Sequence, residues 1–143
     1  MPNFHDTYMA TAIQMAKHSK ANRLKVGAVL VTKNGVMLTG YNGTPKGSDN
    51  SCEFSSPDGS LVTKPEVIHA EENCILKAAR EGISCVDSTL YVTVSPCLHC
   101  AAQLIQVGVK TVHYGQVYRS VDGIKLLGDN GVECYDYQFE YGD

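Results

Sequence analysis

Apolar positions recur along this chain with two different periods, which predict where helices and strands lie. Spacing of about 3.6 residues predicts an amphipathic helix over residues 4–19 and a second over 69–80, and Gly82 fits the end of the second. Shorter helices are predicted over 97–107 and 121–127. The apolar face that packs on the core is expected to consist of Phe4, Tyr8, Ala12, Ile13 and Ala16 in the first helix and of Ala70, Cys74, Ile75, Ala78 and Ala79 in the second.

Strands are predicted from short runs rich in β-branched and aromatic residues. These runs are 26–31, 36–39, 90–94, 109–114 and 132–137. Asn34-Gly35 is typical of a two-residue hairpin turn between the first two runs. Residues 40–64 are rich in Gly, Ser, Asn, Asp and Pro and predict a long ordered loop with a functional role. This order favours an α/β fold: one domain over residues 1–143, in which helices cover both faces of a mixed sheet as three α/β/α layers.

Composition narrows the class of protein. The 143 residues are 43% hydrophobic and 19% charged, as expected of one globular domain. The net charge of -3 and the lack of a dense Lys/Arg run favour a small substrate over a long nucleic acid. No run of about 18 apolar residues predicts a membrane span, and residues 1–6 do not resemble a signal peptide. We therefore expect a cytoplasmic protein in which Cys97-x-x-Cys100 serves metal or redox chemistry rather than a structural disulfide. The other four of the six cysteines are expected to be small core or surface residues.

Two short motifs carry the candidate chemistry: His-x-Glu at 69–71 and Pro-Cys-x-x-Cys at 96–100. Together they form the signature of zinc nucleobase deaminases. A catalytic zinc takes three protein ligands and leaves its fourth position to water, so we predict His69, Cys97 and Cys100 as the ligands. Pro96 is expected in the first turn of a helix, where the positive end of the helix dipole favours thiolates.

Glu71 is the predicted catalytic residue, because it lies beside the ligands without being needed as one. A carboxylate there can accept a proton from the attacking water, deliver it to the pyrimidine ring nitrogen and then protonate the departing ammonia. We expect Glu72 to be a charge at the helix N-terminus and His99 to point away from the site.

Two other interpretations of the motifs stay open. A structural zinc would need a fourth protein ligand, for which His99, Cys74 or Cys85 are available, and would fit a non-enzymatic interaction domain. A redox dithiol at Cys97 and Cys100 would leave the His-x-Glu motif without a role.

A third motif, Gly-Tyr-Asn-Gly-Thr-Pro at 40–45, extends the pattern. With the two metal motifs and the run at 26–29, it resembles the deoxycytidylate (dCMP) deaminase family of the cytidine deaminase-like superfamily, over most of the chain. The metal motifs indicate the superfamily, and Gly-Tyr-Asn-Gly indicates the dCMP branch. The resemblance implies a five-stranded sheet flanked by helices, often a homohexamer, and hydrolysis of dCMP to dUMP and ammonia for thymidylate synthesis.

The resemblance also implies regulation and further site residues. Many family members are activated by dCTP and inhibited by dTTP, with Mg²⁺ accompanying the triphosphate. By position, the allosteric nucleotide residues are Gly40, Tyr41, Gly43 and Arg80, although Arg80 could equally be an exposed helix arginine. The predicted substrate-binding residues are Asn42, Ala70, Ser95, Tyr118 and Arg23, of which Tyr118 lies near a family tyrosine that packs at the substrate. Some relatives carry a second, structural zinc, but this chain has Ala21 and Ser51 near the cysteine positions and only Cys52 adjacent, so we expect one Zn²⁺ per subunit.

Elementary chemistry is compatible with the Gly-Tyr-Asn-Gly motif as a ligand loop. Gly40 and Gly43 can adopt positive φ and let the backbone approach a ligand closely. Asn42 offers a donor and an acceptor for a sugar hydroxyl or the pyrimidine carbonyl, although Asn-Gly can also be only a turn. For the substrate phosphate we nominate Arg23, with Lys25 and Lys46 as further candidates.

The same zinc-dependent deamination is compatible with several substrates. dCTP or another free cytosine nucleotide shares base and sugar with dCMP, and free cytidine, cytosine or a pterin or flavin precursor are further candidates. A deaminase of tRNA or single-stranded DNA would share the zinc site but should show a basic groove with stacking aromatics. Three Phe and no Trp make that class the weaker alternative.

Overall fold

The computed structural model describes residues 3–117 and 119–137, and their helices and strands follow the predicted order with one addition. The helices are α1 (Phe4–Ala16), α2 (Ala70–Glu81), α3 (Leu98–Val107) and α4 (Asp122–Asp129). The strands are β1 (Gly27–Val31), β2 (Met37–Tyr41), β3 (Glu53–Ser55), β4 (Leu61–Thr63), β5 (Thr89–Val92), β6 (Thr111–Tyr114) and β7 (Glu133–Asp136). Among the described residues, no helix has the length and apolar character needed to cross a membrane.

A five-stranded mixed sheet in the order β2-β1-β5-β6-β7 forms the centre of the fold. Strand β1 runs antiparallel to β2 and β5, whereas β5, β6 and β7 are parallel. A hydrophobic core lies on each face of the sheet, and neighbouring residues of β1 contribute to opposite cores. Val29 packs with residues of α1, and Leu30 packs with residues of α2, α3 and α4, which form the main core. The predicted α/β/α layering and five-stranded mixed sheet are therefore confirmed.

Helix α1 differs from its prediction in length and in its buried face. It ends at Ala16 rather than residue 19, and its buried apolar side chains are Met9 and Ala12. The predicted core positions Phe4 and Ile13 are wrong, because these side chains are 75% and 37% exposed. The face that α1 buries is set by close backbone packing. A Cβ added at Gly27 would lie 1.9 Å from the Ala12 carbonyl oxygen, because the helix lies directly on β1 at this point.

The connections differ from the sequence predictions in two places. The turn at Asn34-Gly35 is a three-residue connection, in which the Thr32 N–H donates to the Val36 carbonyl at 2.9 Å and Gly35 alone takes a left-handed φ of 88°. The predicted loop over 40–64 contains strand residues up to Tyr41 and a small antiparallel hairpin, β3–β4. Its turn is Asp58-Gly59, a sequence signal as strong as Asn34-Gly35.

An aromatic cluster lies between α1 and the sheet and encloses a histidine. The ring of His113 is stacked on Tyr91 with centroids 4.8 Å apart, and it also faces His5 at 4.8 Å and Tyr135 at 5.2 Å. His5 Nδ1 in turn is 2.6 Å from the Tyr91 hydroxyl. Burial, and secondarily the neighbouring His5, lowers the pKa of His113 from 6.5 to about 4.

Replacing His113 with phenylalanine is expected to flatten the acid side of the stability profile. The unfolded chain protonates this histidine below its ordinary pKa of 6.5, whereas the folded chain does so only near 4, so the wild-type protein loses stability as pH falls through that window. Urea unfolding of both proteins between pH 7 and pH 4 measures the difference. If the free energy of unfolding changed with pH in the same way in both proteins, the lowered pKa of His113 would be contradicted.

Candidate metal and catalytic site

Helices α2 and α3 begin next to each other, and the residue capping each one belongs to a metal motif. His69 and Cys97 are the N-cap residues, with extended backbone at φ −72°, ψ 159° and φ −71°, ψ 170°. Both were predicted inside the helices, and Pro96 likewise precedes the cap instead of occupying the first turn. The Glu72 carboxylate accepts from the His69 N–H at 2.9 Å, which completes a capping box at the start of α2. Glu72 is therefore a charge at the helix N-terminus, as predicted.

The three predicted donors converge at these helix starts. His69 Nδ1 lies 3.1 Å from Cys100 Sγ and 3.7 Å from Cys97 Sγ, and all three donor atoms lie within 4.8 Å of one another. Tetrahedral zinc with bonds of about 2.0–2.1 Å to nitrogen and about 2.3 Å to sulfur fits between donors at such separations. Over residues 3–117 and 119–137, this is the one His/Cys/Asp/Glu cluster of that kind.

The three residues considered as a fourth protein ligand lie away from the trio. His99 is on the outer side of α3, with its side chain 73% exposed and Nε2 3.3 Å from Gln103 Nε2 and 3.5 Å from Glu72. Cys74 is fully buried in the core, where its thiol donates to backbone carbonyls of β1 and β2. Cys85 is buried in the same core. Within the described part of the chain, no fourth His, Cys, Asp or Glu donor joins this trio, so a tetrahedral metal held there would keep one position for a small molecule.

Hydrogen bonding within the trio concentrates negative charge on one sulfur. Hydrogen bonds from Cys100 and then His69 lower the pKa of Cys97 to about 3. The hydrogen bond to Cys97 raises the pKa of His69 to about 9, and the pKa of Cys100 is raised mainly by its bond to the Cys97 thiolate. A cation at this place would replace these shared protons, as binding to thiolates requires.

Glu71 lies beside the trio and is 4% exposed. Burial raises the pKa of its carboxyl to about 7. A carboxyl group with a pKa near neutrality can both accept and return a proton, the property that general acid–base catalysis uses.

A cavity of about 280 Å³ opens next to Glu71. Besides Glu71, its lining includes six of the residues predicted to bind the substrate or the metal, namely Arg23, Asn42, His69, Ala70, Ser95 and Cys97. Glu71, Ala70 and Ser95 are buried, whereas Arg23 is exposed. The cavity therefore leads from the donor trio toward a guanidinium group at the surface.

Other nominated residues lie outside this lining. Lys25 and Lys46 are exposed, and neither lines the cavity. Tyr118 lies outside the described residues. Arg119, which was not predicted from the sequence, lines the cavity and is exposed. Its position directly after Tyr118 was the available signal.

The Gly-Tyr-Asn-Gly motif is built differently from the expectation. Gly40 and Gly43 do not have positive φ, so neither uses the conformational freedom that the motif offers. Gly40 is required for packing, because a Cβ there would lie 2.5 Å from the Ala70 carbonyl oxygen. Gly43 instead forms a bridge with Ile68 through two backbone hydrogen bonds of 3.0 and 2.7 Å. The motif thus holds β2 and the residues that follow it against the start of α2.

Asn42 uses its amide on the protein backbone. Its Oδ1 accepts from the Val26 N–H at 2.9 Å, and its Nδ2 donates to the Leu24 carbonyl at 2.8 Å. These bonds hold the segment before β1 in place. The allosteric candidates Tyr41 and Arg80 are exposed, and Arg80 pairs with Glu81 at 3.0 Å.

Gly123 of α4 supports the loop that carries Cys97. A Cβ added there would lie 2.1 Å from the Pro96 carbonyl oxygen. Gly123→Ala is therefore expected to displace this loop, to lower the free energy of unfolding by about 1–3 kcal/mol and to weaken zinc binding. Denaturant unfolding and zinc content of the purified protein measure both effects.

Gly128→Ala is the matched control in the same helix. A Cβ at Gly128 meets nothing within 4 Å, so this change is expected to stabilise the helix by about 0.5–1 kcal/mol. Equal stability and zinc content in the two variants would refute the packing argument.

The sequence match assigns this site to a known family. A family model described as the cytidine and deoxycytidylate deaminase zinc-binding region matches residues 2–116. The chain belongs to this family. Both metal motifs and the Gly-Tyr-Asn-Gly motif fall within the matched residues, so the predicted family resemblance is confirmed.

Several relatives in the cytidine and deoxycytidylate deaminase family bear the name deoxycytidylate deaminase. The protein of Enterobacteria phage T4 is 32% identical over 91% of this chain and 88% of its own. That of Schizosaccharomyces pombe is 37% identical over 95% of this chain but 44% of its own, and that of Saccharomyces cerevisiae is 32% identical over 96% and 46%. The chain thus spans about half the length of these two yeast relatives.

A solved structure within the family matches nearly the whole fold. The dCMP deaminase of cyanophage S-TIM5, crystallised with dCMP and dUMP, is 43% identical, with 96% of this chain and 98% of that chain covered and a TM-score of 0.87.

Proposed function

We propose that this chain hydrolyses dCMP to dUMP and ammonia with the help of zinc. The observation that carries the proposal is the placement of Glu71, buried beside the His69, Cys97 and Cys100 donors in the wall of one cavity. The cyanophage enzyme bound to dCMP and dUMP supports this substrate, since it covers nearly the whole chain at 43% identity.

The proposed chemistry assigns one residue to all proton transfers. Zinc held by the three donors would supply the Lewis acidity that lowers the pKa of water. The Glu71 carboxylate accepts a proton from the attacking water as a C4–O bond forms, and it donates this proton to ring nitrogen N3. The proton of the C4 hydroxyl then passes through Glu71 to the amino group, the C4–N bond breaks, and ammonia leaves a uracil ring.

The cavity suggests how the nucleotide is oriented. Its buried part, with Ala70 and Ser95, suits the pyrimidine, and its exposed Arg23 and Arg119 suit the 5′-phosphate. Asn42 also lines the cavity, and its amide nitrogen carries a second hydrogen besides the one donated to the Leu24 carbonyl. We assign that hydrogen to a sugar oxygen of the substrate. Tyr118 keeps its predicted substrate role.

Regulation and assembly complete the proposal and rest on the resemblance. We propose activation by dCTP and inhibition by dTTP with Mg²⁺, through Gly40, Tyr41, Gly43 and Arg80, and assembly as a homohexamer. A role in supplying thymidylate precursors in the cytoplasm follows from the same resemblance. The exposed side chains of Tyr41 and Arg80 are compatible with contacts beyond this chain.

One assay panel tests substrate and regulation together. Ammonia release is measured from dCMP, dCTP, CMP, deoxycytidine and a cytosine-containing oligonucleotide, each with and without dTTP or dCTP and Mg²⁺. We expect kcat/KM to be highest for dCMP. Preference for deoxycytidine or the oligonucleotide would refute the substrate assignment, and a flat response to dTTP would refute only the regulatory part.

A further inference from the structure

The hairpin β3–β4, absent from the sequence predictions, packs against the chain segment that carries Arg23. Glu53, in β3, is 8% exposed. Its carboxylate accepts from the backbone N–H of Asn22 at 2.9 Å and of Arg23 at 3.1 Å. This buried carboxylate therefore fixes the main chain at Arg23.

The same hairpin also holds the other end of the arginine. Arg23 Nη1 donates to Thr63 Oγ1, in β4, at 3.1 Å. Glu53 and Thr63 are directly paired in the register of the hairpin. A single cross-strand pair thus binds both the backbone and the guanidinium group of Arg23, and all three residues line the cavity beside Glu71.

This arrangement leaves the guanidinium group oriented but still able to bind. Thr63 takes one of its five N–H donors, and Glu53 bonds to the backbone, with no ion pair to Arg23 within 4.0 Å among the described side chains. An arginine held in place loses less conformational freedom when it binds a phosphate than a mobile surface arginine would.

We propose that the Glu53–Thr63 pair is a positioning device that presents Arg23 to the 5′-phosphate and thereby makes the site select nucleotides over nucleosides. This inference rests on the proposed function, because it assumes a phosphorylated substrate. Glu53 and Thr63 act through Arg23 and are positioning residues, not catalytic ones.

Thr63→Val in the full chain tests the proposal, because it removes the hydroxyl and keeps the shape. We expect KM for dCMP to rise about 3- to 10-fold, the effect of one hydrogen bond, with kcat little changed. kcat/KM for deoxycytidine, which lacks the phosphate, should stay the same. Thr63→Ser should restore the wild-type KM, and Thr39→Val, a half-buried threonine in β2 outside the cavity lining, should leave it unchanged.

Arg23→Met separates this inference from the proposed function. In that background Thr63→Val should have no further effect on KM for dCMP. If wild-type protein does not act on dCMP at all, the proposed function fails. If Arg23→Met raises KM for dCMP but Thr63→Val does not, or if Thr63→Val slows dCMP and deoxycytidine equally, the positioning role is refuted while the function stands.

Discussion

Replacing Glu71 with glutamine is expected to lower kcat for dCMP deamination by about 10²- to 10⁴-fold, the usual contribution of general acid–base catalysis. The amide preserves the shape of this buried side chain but can no longer accept and return a proton. Zinc content should stay at the wild-type level, since Glu71 is outside the donor trio. Single-turnover rates and metal analysis on the same preparation measure both quantities.

Glu81→Gln is the matched control for this variant. Glu81 lies on the same helix but is exposed at the opposite end, so its replacement should leave kcat and zinc content unchanged. Near wild-type turnover in the Glu71→Gln protein would remove Glu71 as the catalytic residue.

The second large effect is expected from Cys100→Ala, which removes one of the three metal donors. Loss of a residue that only orients a ligand typically costs about 10- to 100-fold in metal affinity, so loss of the ligand itself should cost more than about 100-fold. Purified protein should therefore contain little zinc and show turnover reduced in proportion. Zinc content per chain and dCMP deamination are the two measurements.

Cys134→Ser provides the comparison for a cysteine away from the site. Cys134 is half-buried in β7 and packs against the main core, so its replacement should retain zinc and turnover. Full zinc content in Cys100→Ala would show that the metal site is not the one formed by His69, Cys97 and Cys100.

The sequence predicts the site best where its residues are close to a helix start. The His-x-Glu and Cys-x-x-Cys spacings each bring their side chains to one turn, and strand–helix alternation brings the two turns to the same end of the sheet. These local constraints explain why the structure brings His69, Glu71, Cys97 and Cys100 together. Only the helix bounds were misplaced, because His69 and Cys97 cap the helices instead of beginning them.

The remaining features depend on contacts between distant segments, which periodicity does not record. The buried face of α1 is set by its close contact with Gly27, so Phe4 is exposed despite its apolar side chain. Likewise, Gly40 is explained by the neighbouring Ala70 carbonyl rather than by its own φ. The local hairpin that pairs Glu53 with Thr63 was missed for a different reason: Asp58-Gly59 signals its turn, but its three-residue strands are too short to show an alternating pattern.

The most direct test of the central claim is a crystal structure of the zinc-loaded protein with a dCMP analogue that lacks the 4-amino group. We predict zinc bound by His69, Cys97 and Cys100 as its protein ligands, with the Glu71 carboxylate within hydrogen-bonding distance of ring nitrogen N3. A fourth protein ligand on the zinc, or a Glu71 carboxylate directed away from the pyrimidine, would contradict it.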